Sequence, residues 1–166
     1  MTHQIGVDVT AWYTADEMKA NGRSFKLGST HTTYDGKVYV FVQLGTGGVT
    51  GDGYVCAIGE DYQAVMLSTS TDAAGDMVGV AEAAGSEDDY GWLQVYGACG
   101  IRTEQDALAN AKLGATADAG QVDDAGATGS IYIEGMTLGT ATGGADAVNT
   151  TGFLSWPRQQ LVGTYA

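Results

Sequence analysis

Glycine placement is the feature that most constrains how this chain can fold. The 166 residues include 26 glycines and a single proline, Pro157. This glycine share is about twice the usual fraction of roughly 7%. Glycine adopts positive φ angles without steric cost, so it suits tight turns. Frequent tight turns between short apolar runs predict an all-β protein with many short strands.

Between these turns, apolar and polar residues alternate as they do in strands. The alternation predicts a strand near residues 25–27 and another over residues 38–42. The sequence Asp35-Gly36 between them is a strong signal for a hairpin turn. The broadly regular spacing of these strands and of those that follow predicts a small antiparallel β-barrel or sandwich. Further strands are expected over residues 54–58, 64–67, 77–81, 92–96, 98–101, 131–133 and 153–156.

Two later stretches interrupt this pattern. Residues 103–112 could form a helix capped by Thr103 and ended by Gly114, or a loop between strands. We expect a loop or a single turn. Residues 115–130 are small and acidic and predict exposed turns.

Residues 1–24 have a different pattern and are predicted to form an N-terminal arm, followed by a β-rich body over residues 25–166. Thr14-Ala15-Asp16-Glu17 has the form of a capping box, in which each end side chain bonds to the backbone of the other. Asn21-Gly22 is a suitable C-terminal stop. The arm is therefore expected to contain one short helix.

Charge is divided unevenly between the two parts. The net charge is −13, from 20 acidic and 7 basic residues, yet acids and bases balance up to Val40. Binding to nucleic acid requires cationic groups that displace the counterions of phosphates, so a nucleic-acid partner is not expected. An anionic membrane surface is disfavoured for the same reason. The acidity indicates either solubility alone or a near-neutral docking arm on an acidic, exposed body.

No motif for catalysis or cofactor binding is present. The glycine-rich run at residues 45–53 lacks the Lys-Ser/Thr pair and the following helix of a phosphate-binding loop. The acids at residues 87–89 are too few for a calcium site. His3 and His31 have no zinc-ligand spacing with the cysteines. We expect no enzyme activity, no metal and no cofactor.

Cys56 and Cys99 lie in apolar surroundings and are expected to be buried free thiols. A single disulfide between them is the alternative. No N-terminal run resembles a signal peptide, and the longest apolar run is too short for a membrane span. We therefore expect a protein that is made in soluble form inside a cell.

Aromatic residues are the remaining functional candidates. They could stack on sugars, but aromatic residues on strands more often fill a core or a subunit interface, which we expect here. The residues concerned are Tyr34, Tyr39, Tyr54, Tyr62, Tyr90 and Trp92.

A series of strand and turn sequences between residues 25 and 158 resembles a known family. It includes DGKVYVFVQ at residues 35–43, MVGVA at 77–81, DYGWLQVYG at 89–97, ADAGQV at 117–122 and SWPR at 155–158. The series is similar to the small β-rich capsid decoration (cement) proteins of tailed bacteriophages. The arm before residue 25 lies outside this resemblance.

The resemblance implies a structural protein of the virion, made in the host cytoplasm and located on the capsid exterior. It implies a homotrimer that binds the major capsid protein and stabilises the shell by bridging its subunits. The alternative is a carbohydrate-binding or host-adhesion module on the virion surface. The charge division and the early alternating apolar residues make the arm our candidate for capsid binding, through Trp12, Lys19, Arg23 and Lys26.

Overall fold

The computed structural model describes residues 7–20, 25–71, 76–124, 131–144 and 147–161. Within these ranges the chain forms one short helix and ten strands, so the all-β prediction is confirmed. The elements are α1 (Ala15–Ala20), β1 (Thr30–Thr32), β2 (Val38–Leu44), β3 (Val55–Ile58), β4 (Gln63–Met66), β5 (Met77–Ala81), β6 (Tyr90–Thr103), β7 (Leu113–Ala115), β8 (Val122–Asp124), β9 (Ile131–Leu138) and β10 (Val148–Leu161).

All ten strands belong to one sheet, whose pairings close two circuits. Strands β2, β4, β3, β5 and β6 are hydrogen-bonded in one circuit, and β6, β8, β7, β9 and β10 form the other. Most pairings are antiparallel, but β2–β4 and β6–β8 are parallel. The fold is thus not a single clean barrel, because the long strand β6 is shared by both circuits.

The shared strand β6 changes partners at a bend around Gly97. Up to Tyr96 it pairs with β2, and from Tyr96 onward with β10. Gly97 has a φ of 99°, a conformation that favours glycine. The fully buried Gln94 donates hydrogen bonds from Nε2 to the carbonyl oxygens of Tyr96 and Ala98, both at 3.0 Å. Gln94 therefore holds the bend, and the two strands predicted here form one bent strand.

Each circuit contributes an apolar core. The core of the first circuit contains Val40, Val42 and Leu93 among its buried residues, and draws on all five of its strands. The second core contains Ile101 and Leu154 and also takes residues from β3 and β5. The two cores lie on opposite faces of β3 and β5, because successive side chains of a strand point to opposite faces.

The local signals at the start of the chain are confirmed. Helix α1 begins after Thr14, whose backbone N–H donates to Glu17 Oε2 at 2.8 Å. In return, Thr14 Oγ1 accepts from the Glu17 backbone N–H at 3.3 Å. The bond from the Thr14 backbone N–H and a further bond from the Thr14 hydroxyl to Glu17 Oε2, at 2.9 Å, lower the pKa of the Glu17 carboxyl. The Asp35-Gly36 hairpin turn joins β1 to β2, whereas the predicted stop at Asn21-Gly22 lies outside the described residues.

Two predictions of secondary structure are corrected. Residues 25–27 are not a strand, since a turn with Gly28 at a φ of 81° follows Phe25 and β1 begins at Thr30. The stretch 115–130 is not uniformly exposed, because Ala115 and Val122 are buried in strands β7 and β8. Residues 125–130 lie outside the described part. The loop expected over residues 103–112 is confirmed over residues 104–112, whereas Thr103 is the last residue of β6.

The cysteines are free thiols, as expected: Cys56 is buried and Cys99 is half-buried. Burial raises the pKa of each thiol to about 12. Because the thiolate is the reactive form, we expect both to react far more slowly with Ellman's reagent in the native protein than in urea, at about pH 8. Rapid native reaction would contradict the burial, and recovery of fewer than two thiols in urea would indicate a disulfide.

Candidate binding surfaces

The arm is attached to the body through Trp12. The indole ring lies against Gly85 and Gly91, where an added Cβ would stand within 2.8 Å of ring atoms. Its Nε1–H donates to the carbonyl oxygen of Ala83 at 3.1 Å. The half-buried Trp12 thus anchors the arm from within the molecule, while its proposed contact with a capsid stays a prediction.

The backbone of Tyr13 adds a second attachment. It exchanges two hydrogen bonds of 2.8 Å with Tyr90, at the start of β6. Together with Trp12, this bridge fixes the arm at one end of the β2–β6 ladder.

The arm also covers a cluster of aromatic side chains on the outer face of the β2–β6 ladder. Phe41 and Trp92 are buried there, with ring centroids 5.0 Å apart, and Phe25 packs 5.2 Å from Trp92. The partly buried residues around them are Val7, Val9, Met18, Leu27 and Tyr90. The described part of the arm is therefore a layer on the body.

The predicted basic residues lie on the solvent side of this layer. Lys19 is exposed on the last turn of α1, and Lys26 is exposed beside Phe25. Neither forms an ion pair with any residue that the structure describes. Arg23 lies outside the described residues. The structure thus places Lys19 at the surface of the arm, Lys26 at the surface just after the arm, and Trp12 beneath the arm.

Five of the six candidate aromatics are packed, as expected for strand residues. Tyr39 and Trp92 are buried, and Tyr54, Tyr62 and Tyr90 are partly buried against the apolar clusters. The hydroxyl of Tyr39 donates to Glu82 at 3.0 Å, and burial raises its pKa. The sixth, Tyr34, is fully exposed at the β1–β2 hairpin turn.

A different set of aromatic side chains is exposed on the second circuit. Tyr96 (36% exposed), Phe153 (45%) and Trp156 (45%) lie on the outer side of β6 and β10. The rings of Tyr96 and Phe153 meet edge to face, with centroids 5.5 Å apart. The outward-facing residues of β9 and β10, together with Tyr96, are called the outer β9–β10 face below.

Trp156 owes its exposure to a β-bulge. Between the pairs Leu154–Met136 and Arg158–Glu134, β10 has three residues and β9 has only Gly135. Trp156 has a φ of 50°, unusual for a bulky residue and further disfavoured before Pro157. A Cβ at Gly135 would stand 2.6 Å from the carbonyl oxygen of Ser155, so glycine is needed opposite the bulge. The strained Trp156 is thereby held at the surface.

A shallow groove of about 690 Å³ lies on the β9 side of the bulge. Gly135 lines it, so the bulge that carries Trp156 borders it. Lys112 Nζ sits 5.7 Å from the centroid of the Tyr132 ring. The other polar side chains that line the groove are Asn110, Glu134, Thr137 and Gln160.

A second depression, of about 370 Å³, is lined by Glu60, Asp76 and Arg158, among others. Partial burial, with Glu60 and Asp61 nearby, raises the pKa of the Asp76 carboxyl. Within the described ranges no three His, Cys, Asp or Glu residues are grouped to hold a metal ion. In the same ranges no helix is long and apolar enough to cross a membrane.

The exposure of Phe153 and Trp156 is not predicted by the strand pattern, although the sequence contains one signal for it. Pro157 is the only proline and falls at the end of a predicted strand, and proline inside a sheet is confined to edges and bulges. The dipeptide Trp156-Pro157 thus marked a break in the alternation.

No protein-family model matches the chain, and no curated protein matches its sequence.

Proposed function

We propose that this protein is a structural protein of a bacteriophage virion, which binds the outer surface of the capsid shell as a homotrimer and bridges subunits of the major capsid protein. The resemblance of residues 25–158 to capsid decoration proteins supports this proposal. The strands that carry the resemblance, above all β2, β5 and β6, build the first circuit and its core.

The observation that carries the proposal is the low net charge of the N-terminal part of the chain, which includes the arm. Acids and bases are equal in number up to Val40, while 16 acids face 3 bases in the remainder. Lys19 and Lys26 are exposed in this part of the chain, as are the acids Asp8, Asp16 and Glu17. A second protein can approach this part without the like-charge repulsion that the acidic body imposes on an acidic surface. The arm is therefore the docking side.

Docking through the arm assigns a role to the rest of the molecule. A clamp bound to several subunits at once resists their separation through multivalency, because one broken contact leaves the others in place. The acidic body then faces outward and keeps crowded particles apart by repulsion. Neither role requires catalytic groups.

Reversing the charges of two exposed lysines, Lys19 in the arm and Lys26 just after it, tests this proposal. The double variant Lys19→Glu/Lys26→Glu should bind about tenfold more weakly or worse to shells made of the major capsid protein from the same genome. Both side chains are exposed, so the fold should be unaffected. Cosedimentation with shells that lack this protein measures the affinity and the number of copies bound per capsomer junction.

The matched control is Lys112→Glu/Arg158→Glu, which changes the net charge equally but lies away from the arm. Shell binding should be close to that of the unaltered protein. Equal weakening by both double variants would show a general charge effect and contradict docking through the arm. Absence of any binding by the unaltered protein would refute the proposed function itself.

A further inference from the structure

We propose that the outer β9–β10 face is a second binding site, which takes an uncharged oligosaccharide and uses Trp156 as its central stacking surface. This site contains no residue of the arm. Binding at this site is therefore a function in addition to the proposed one, and it does not depend on attachment to a capsid.

Aromatic residues recur along the part of β9 and β10 that forms this face. Tyr132 pairs with Gln160 at one end, Trp156 lies at the bulge, and Phe153 lies at the other end beside Tyr96. At about 3.3 Å per residue, the stretch from Phe153 to Gln160 extends over about 20 Å. Several linked sugar rings fit along such a length, whereas a single ring would contact only one part of it.

The side chains along this face have the chemistry that a sugar requires. Sugar rings present apolar C–H faces that stack on aromatic rings, and hydroxyl groups at their edges that both donate and accept. The amides of Asn110 and Gln160 and the hydroxyl of Thr137 line the groove and can do both in return. A shallow groove with an aromatic residue at its border and several polar groups therefore suits an oligosaccharide better than a compact apolar ligand.

Charge favours an uncharged ligand. Lys112 and Glu134 line the groove with opposite charges, and Arg158, which pairs with Glu134 in the ladder, adds one positive charge to the described part of the face. An anionic polysaccharide would be repelled at long range by the net charge of −13. A cationic peptide would find one carboxylate, that of Glu134.

The arrangement also favours a sugar over a protein partner. The centre of a protein interface is usually a contiguous apolar patch. Here the exposed residues Thr137, Thr151 and Ser155 lie along β9 and β10 among the aromatic side chains.

The strain at Trp156 is a further argument for a binding role. Residues in sparsely populated backbone regions cluster at ligand sites, and β-bulges re-aim side chains there. Glycine would adopt the φ of 50° without strain, yet the position carries a large, exposed aromatic side chain. The strained conformation is therefore explained if the indole itself contacts a ligand.

Titration with neutral hexasaccharides of glucose, mannose, galactose and N-acetylglucosamine tests the proposal. The readout is the NMR signal of the Trp156 indole N–H, assigned by its loss in Trp156→Gly. At least one hexasaccharide should shift this signal in a saturable manner. Trp156→Gly should weaken binding of that hexasaccharide about tenfold or more, as measured by calorimetry. Its thermal stability should be retained or increased, because glycine relieves the strain.

The matched control is Tyr34→Ala, which removes a fully exposed aromatic side chain at the distant hairpin turn and should leave sugar binding unchanged. No saturable shift with any hexasaccharide at millimolar concentration would overturn the proposal, as would equal affinities of Trp156→Gly and the unaltered protein. Loss of shell binding in Trp156→Gly without any sugar binding would instead make this face a protein contact. None of these outcomes depends on the Lys19 and Lys26 result.

Discussion

Replacing Gly152 with alanine is expected to lower the free energy of unfolding by about 2–3 kcal/mol, because the added methyl group has no space. Gly152 is buried in β10, where it pairs with Cys99 of β6 on one side and Leu138 of β9 on the other. An added Cβ would overlap the side chain of Ile101 and stand 2.7 Å from the carbonyl oxygen of Thr137. That carbonyl belongs to β9, so it cannot move away without disturbing the ladder between β9 and β10. Urea denaturation followed by circular dichroism measures the effect.

The neighbouring ladder position provides a matched control for this variant. Gly100 of β6 pairs with Thr151, one position from the Gly152–Cys99 pair. The nearest atom to a Cβ at Gly100 is the Cβ of Asn149 at 3.9 Å, an ordinary van der Waals contact. Gly100→Ala should therefore change the free energy of unfolding by no more than about 0.5 kcal/mol. Similar values for the two variants would contradict the close packing of β6, β9 and β10 at Gly152.

The sequence predicts this fold well where the signals are local. The Thr14–Glu17 capping box, the Asp35-Gly36 turn and strand β5 each depend on a few consecutive residues, and each lies where it is predicted. Their side chains and backbone interact within the segment itself, so no knowledge of distant parts is required.

The closure of the sheet could not be predicted, because it depends on contacts between distant segments. Strand β6 is shared by both circuits only because Gln94 and Gly97 bend it between its two partners. The short strands β7 and β8 were missed, since three residues each are too few to show an alternation.

The candidate sites show the same division between local and distant effects. Strict alternation along β10 would place Trp156 on the same face as Leu154, which is fully buried. The bulge, in which three residues of β10 lie opposite one of β9, interrupts this alternation and leaves Trp156 exposed. For Trp12 the distant contacts have the opposite effect. The neighbouring residues in sequence suggest an exposed arm, but the indole ring packs against Gly85 and Gly91, more than 70 residues away.

Trp12→Ala is expected to be among the most destabilising substitutions in the arm, with a loss of about 2–4 kcal/mol in the free energy of unfolding. The variant leaves a cavity beside Gly85 and Gly91 and removes the hydrogen bond to Ala83. The half-burial of the side chain places the expected loss below that of a fully buried tryptophan. Urea denaturation measures this loss.

The matched comparison is Trp156→Ala, which removes the same side chain from an exposed position and should cost no more than about 1 kcal/mol. Since Trp12 anchors the arm, Trp12→Ala should also weaken shell binding, but together with a loss of stability. Lys19→Glu/Lys26→Glu should weaken shell binding alone. If Trp12→Ala leaves stability unchanged and still abolishes shell binding, the indole acts as a direct capsid contact and its anchoring role is wrong.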